Sequence, residues 1–243
     1  MAVRIAAVQA LRGKTLVGDN VLDSEIGALQ VDADGNLRTD EDTPFLAIYT
    51  DAATTRDIDI DIRSFSVNGV TEILFETGIT AAMTETDAAT DETKLIGLGI
   101  PATDRSFELF LDLVDRQIGD VLNDPANEWA GIFRNLVQRF VKIDRARTSG
   151  AADGTRLAGH QTKVSALLVN DPVAGEAIRS TGAIGKFFAK AAELTEPEIV
   201  TQLAAMRAQI EGSGVAWATP VRRRGLTQEE GAAMLVDDFT DDP

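Results

Sequence analysis

Cysteine is absent from the chain, which excludes disulfides, thiol catalysis and thiolate metal sites. That absence also fits a reducing compartment. Histidine is nearly absent: His160 stands alone, no Gly-x-Ser-x-Gly elbow accompanies it, and within a predicted strand it reads as structural rather than catalytic. One histidine without cysteine leaves carboxylates as the main ligands for zinc, which they suit poorly. Aromatic residues make up 5%, with Trp129 and Trp217 the two tryptophans, so the stacking platforms of a carbohydrate cleft are scarce. Basic residues are outnumbered, 23 against 39 acidic, for a formal net charge of −16. A surface of that sign disfavours phosphate backbones and anionic membranes, so neither nucleic-acid binding nor membrane association is expected. No apolar run reaches the ~18 residues of a membrane-spanning helix. Residues 1–9 are too polar for a secretory signal. No cofactor or metal is expected.

What is present suffices for a real core: 243 residues, 44% of them hydrophobic. The most informative stretch is Arg56-Asp-Ile-Asp-Ile-Asp-Ile-Arg63, followed by Asn68-Gly69 and a β-rich run through Ile73, Phe75, Thr77 and Ile79. Ile58, Ile60 and Ile62 alternate with Asp57, Asp59 and Asp61, which predicts a strand with one apolar and one acidic face. Asn-Gly tolerates positive φ at both central positions, so the spacing predicts a long hairpin over 56–83. Alternate carboxylates on a strand lie ~7 Å apart and repel by roughly 0.6 kcal/mol in water. That is tolerable on a solvated face or opposite Arg and Lys of a neighbour, and costly when buried alone. A calcium loop is a third reading, but Ile62 stands where its glycine belongs and Asn68 where its closing glutamate belongs.

Elsewhere the sequence predicts a short helix over 3–11 with Val3, Ala6, Ala7, Ala10 and Leu11 on one side and Gly13 as its stop. A strand is expected at 45–49, and an acidic loop at 84–93. An amphipathic helix from Thr103-Asp104 carries Phe107, Phe110, Leu111, Val114, Ile118 and Val121. A second helix begins at Pro125 and runs through Trp129, Ile132, Phe133, Leu136, Val137 and Phe140. Strands are expected over 141–147 and 156–169, with a loop through Ser149, Gly150, Asp153 and Gly154 between them. Beyond Pro172 the chain turns alanine-rich and helical. Thr195-Glu-Pro197-Glu198 and Thr227-Gln-Glu-Glu230 read as capping boxes. The sequence therefore divides into an α+β core, 1–172, and a helical extension with an acidic tail, 173–243.

Two nucleotide-like motifs fail on context. Gly13-Lys14-Thr15 lacks the upstream glycine and preceding strand of a phosphate-binding loop and reads as a helix end. Gly97-Leu-Gly99 is followed by Pro101, which pushes the helix start beyond the motif.

The order of elements resembles the tail terminator, or tail completion, proteins of long-tailed bacteriophages and phage-like particles. The residues that carry the resemblance are Pro44-Phe45-Leu-Ala-Ile-Tyr49, the Phe75-Glu76-Thr77-Gly-Ile79 strand, Ala102-Thr103-Asp104, and Thr155-Arg156-Leu157, and it covers about residues 1–172. It implies a small mixed sheet with helices on one face. It also implies a hexameric ring that caps the head-proximal end of the tail tube, ends tube polymerisation and docks the head connector, or stopper. The place implied is the virion tail, after assembly in the host cytoplasm, and no enzyme activity is implied. Within that frame Asp57, Asp59 and Asp61 are expected to face a neighbour, a partner or the lumen, with Arg63, Arg145 or Arg147 as basic counterparts. Residues 173–243 exceed the family's usual size. Two other readings stand beside this one: another neck or head–tail connector component, and a carboxylate-dependent hydrolase.

Overall fold

The computed structural model describes residues 1–24, 30–31, 37–39, 41–55, 68–80, 83–86, 93–95, 103–152, 155–175, 177–212, 221 and 224–233. The fold is α+β, as the sequence implies: a mixed five-stranded sheet with six helices among the described residues. The strands are β1 (Val21–Asp23), β4 (Phe45–Thr54), β5 (Val70–Thr80), β8 (Val137–Ala152) and β9 (Thr155–Leu168), in the order β1-β4-β5-β9-β8. β1 runs parallel to β4, with Val21 opposite Leu46. Two short ribbons stand apart from the sheet: β2 (Gln30–Val31) with β3 (Leu37–Arg38), and β6 (Thr84–Thr86) with β7 (Thr93–Leu95). The second ribbon corrects the expected acidic loop, because Thr84 to Thr86 pair antiparallel with Thr93 to Leu95.

The chain forms two compact units, Met1–Ala52 with Thr71–Ala166, and Ala53–Val70 with Leu167–Pro243. The division expected after residue 172 is thus drawn at 166, and the second unit also takes in residues 53–70.

In the first unit, helix α1 (Ala2–Leu11) is enclosed on nearly every side: eight of its ten residues are buried. The predicted one-sided stripe understates this, because Ile5 and Val8 are buried as fully as Ala6 and Leu11. A helix apolar all round belongs inside a core. It lies against α2 (Asp104–Asn123), α3 (Glu128–Leu136) and β1. Arg4 pairs with Asp23 at its first turn, and the Asn127 side-chain amide donates to the Ala10 carbonyl at 2.9 Å at its last.

The amphipathic stripe of α2 is buried from Phe107 to Ile118, while Val121 at its end is half-buried, and Thr103 caps the helix by accepting from the Ser106 N–H at 3.2 Å. α3 starts three residues later than Pro125. The Asp124 carboxylate accepts from the Ala126 N–H and closes a turn, and the Asn127 side chain then caps the helix through Ala130 N–H. α3 also stops earlier than the sequence predicts. Val137 to Phe140 continue the 3-and-4 spacing but belong to β8, whose run of Val137, Phe140, Val141 and Ile143 suits a pleated surface. The expected loop through Ser149 and Gly150 is strand as well, leaving Asp153 and Gly154 between β8 and β9.

The predicted 56–83 hairpin is corrected in its pairing. Residues 56–67 lie outside the described residues, and both edges of β5 are taken, by β4 on one side and β9 on the other. Gly69 has φ +61°, and a side chain there would meet the Thr54 carbonyl at 2.5 Å, so glycine is required. Asn68 donates to the Val169 carbonyl at 2.7 Å and to Asp171 at 3.0 Å.

The second unit holds α4 (Ala183–Ala191), α5 (Pro197–Glu211) and α6 (Gln228–Ala233). The Thr227 box forms reciprocally: Glu230 N–H donates to Thr227 Oγ1 at 3.2 Å and Thr227 N–H to Glu230 at 2.8 Å. The Thr195 box does not form. Pro197 takes the first helical position, which makes Glu196 the N-cap.

Candidate functional site

Alternation along the strands sorts the sheet's side chains onto two faces. The helical face carries His160 and Thr162 of β9, both directed at α2. Thr162 hydroxyl donates to Asp115, and the other oxygen of that carboxylate accepts from Arg145 at 2.7 Å. One turn pair earlier, Arg147 grips Glu108 through Nε bonds at 2.8 and 2.9 Å and a third bond from Nη2 to Oε1, with His160 Nε2 at 3.9 Å. The Arg147 bonds hold the Glu108 carboxyl below its ordinary pKa, against a smaller opposing effect of burial, and His160 adds to the depression. Arg145 and Arg147 are therefore already engaged by acids of their own chain.

Glu108 carries a testable pH dependence. A depressed carboxyl contributes stability that is present above its unfolded pKa of ~4.3 and is lost as pH falls through the folded value. Urea unfolding of Glu108→Gln should show a deficit against the parent at pH 7 that shrinks towards zero by pH 3. A deficit that stays constant over that range would remove the charge from the explanation.

The opposite face holds a ladder that sequence reading missed. The phenol of Tyr49 hydrogen-bonds Glu76 and Gln161, and Gln161 donates to Glu76 at 2.6 Å. Lys163 reaches Glu72 at 2.9 Å and Asp51 at 3.4 Å. Burial first, then the Glu76 hydrogen bond, pushes the Tyr49 pKa up, so the phenol is a neutral donor at pH 7. The Glu72 hydrogen bond pushes Lys163 up likewise, so the ammonium stays charged. Both groups rest in their ordinary ionisation states, which suits cross-strand adhesion and not proton transfer. The available signal was the i, i+2 and i, i+4 polar spacing of Asp51, Glu72, Glu76, Gln161 and Lys163 on their separate strands.

The sheet ends at β8, a strand of 16 residues. Phe140, Val141 and Ile143 are 48, 50 and 49% exposed there, although Phe140 stacks on Phe133 at 6.3 Å. Four basic side chains, Arg139, Lys142, Arg145 and Arg147, share the strand with one acid, Asp144.

Of the residues singled out in the sequence, Asp57, Asp59, Asp61 and Arg63 lie outside the described residues, and Arg145 and Arg147 come together on the β8–α2 seam. Two clefts of the second unit measure about 350 and 440 Å³. Among the described residues, Asp171 is the one carboxylate lining the first and Glu211 the one lining the second. Among the described residues, no three His, Cys, Asp or Glu side chains are grouped to hold a metal, and no helix is long and apolar enough to cross a membrane. Comparison with protein-family models, curated proteins and solved structures finds no match.

Proposed function

We propose that the chain is a non-enzymatic structural subunit of a phage tail or phage-like particle, a tail terminator that assembles into a ring, six-fold by the resemblance. The ring closes the head-proximal end of the tail tube and meets the head connector. The observation that carries this reading is the β8 edge: a long terminal strand with three half-exposed apolar side chains is a surface built for another chain. The element order of the tail terminator family and the static charge ladder on the sheet support it. Proteins that polymerise by repeating one heterologous contact close into rings when the rotation allows.

The test is the mass of the purified 26.0 kDa chain across salt and concentration, with negative-stain images of the same fractions, alone and with tail-tube protein. Rings bound at tube ends are expected. A monomer under all conditions with no affinity for tube ends would sink the reading.

A further inference from the structure

The β8 edge also indicates how one subunit would meet the next. The strand extends roughly 50 Å at ~3.3 Å per residue. Among the described residues, the two-residue β3 lies beside it. The exposed apolar stretch Phe140–Ile143 is flanked by positive charge on a chain whose formal net charge is −16. Arg145 and Arg147 are answered by Asp115 and Glu108, and Lys142 lies 2.8 Å from Asp144 on the same strand. The strand as a whole carries four cations and one acid, and the rest of the chain taken together is correspondingly more acidic than the chain average.

Two identical β8 edges facing each other would set Arg139 and Lys142 against their own copies, with Asp144 as the acid beside them, since Arg145 and Arg147 are engaged by α2. Like charges placed opposite one another are unfavourable across a ladder. The same edge against any other surface of a second copy meets, on average, strong negative charge. We infer that β8 docks a second copy of this chain heterologously: its basic, apolar edge seats on an acidic surface of the neighbour, and β8 does not pair with β8. This rests on the ring reading above and supplies its contact. A heterologous contact is also the kind that builds a ring, whereas β8-to-β8 pairing would stop at a dimer.

Salt dependence follows from the charges. At ~10 mM salt the Debye length is ~30 Å and whole subunits at −16 repel. Near 150 mM it falls to ~8 Å, which screens that repulsion while leaving contact pairs in place, and molar salt screens both. Association is therefore expected to pass through a maximum at intermediate salt.

Basic residues on an exposed edge have a second known use, to keep edges apart, and the two roles predict opposite signs. Arg139→Ser with Lys142→Ser tests them, because both side chains are exposed and outside the core. If β8 docks an acidic surface, the double variant associates about tenfold more weakly or worse by sedimentation, with an unchanged circular dichroism spectrum and melting midpoint. If the charges merely guard the edge, it associates as strongly or more strongly, and the inference is overturned. The cysteine-free background permits a second test. Val141→Cys under mild oxidation should remain free of disulfide dimers, and efficient dimer formation would demonstrate β8-to-β8 pairing and overturn the inference. Parent rings at tube ends that survive in the serine variant would remove this contact and leave the ring reading standing. A parent that never assembles would remove both.

Discussion

Phe45→Ala is expected to cost about 3–5 kcal/mol, the usual range for deleting a fully buried phenylalanine. Its ring is 0% exposed and lies across Gly78 of the neighbouring strand. A Cβ added at Gly78 would sit 2.4 Å from the ring's Cζ and 2.5 Å from Cε1, so Gly78→Ala forces a rigid, enclosed ring to move. That overpacking should cost about 1–3 kcal/mol. The two substitutions are not independent, because the ring is what the new methyl would strike. In the Phe45→Ala background the alanine at 78 has room and even fills part of the cavity. The double variant should therefore be more stable than the sum of the single losses predicts, by about 1 kcal/mol or more. Chemical denaturation of the four proteins measures the coupling. Strict additivity would mean that Phe45 does not cover Gly78 in solution.

The second large effect is expected at the centre of α1. Ala6 is 0% exposed, with Ile5, Ala7 and Val8 around it at 1% or less. An aspartate there places a carboxylate on a helix that is buried on nearly every side. An unpaired buried charge costs several kcal/mol, a large share of the ~5–15 kcal/mol by which such domains are stable. Ala6→Asp should lose its cooperative thermal transition, or melt at least ~10 °C lower, while Ala6→Ser should fold with a much smaller loss. Equal melting of the two variants would show that the helix is not enclosed as described.

These two sites also mark how far the sequence could be read. The stripe of α2 was legible because Phe107, Phe110, Leu111, Val114 and Ile118 repeat along one helix and its cap is three residues away. α1 was legible as a helix but not as a core element, since being surrounded depends on α3 and β1, which arrive from elsewhere in the chain. The β-rich run after Asn68-Gly69 was legible as a strand. Its pairing was not, because a local hairpin rule cannot see that β4 and β9 occupy both edges. Phe133, Leu136, Val137 and Phe140 keep helical spacing across a helix-to-strand junction, and there tertiary pairing overrides periodicity. Thr227 formed its box and Thr195 did not, because a proline at the first helical position decides where the helix begins. For the candidate site, Arg145 and Arg147 were legible as notable cations. Their partners, 30 and 39 residues upstream on α2, were not. The adhesive ladder around Tyr49 draws on β4, β5 and β9, and the polar spacing within each strand does not say which strands stand side by side.

The enclosure of α1 has a consequence for biogenesis. The helix that fills the centre of the first unit is made well before its chief companion, α3, which ends at Leu136. A ribosome adding ~5–20 residues per second takes about 6–25 s to cover that interval. During this time a ten-residue apolar segment has emerged from the exit tunnel without the surface it will finally cover. Nascent chains of this protein should consequently be clients of ribosome-associated chaperones through α1, and synonymous codon changes that slow translation between α1 and residue 136 should lower the soluble yield.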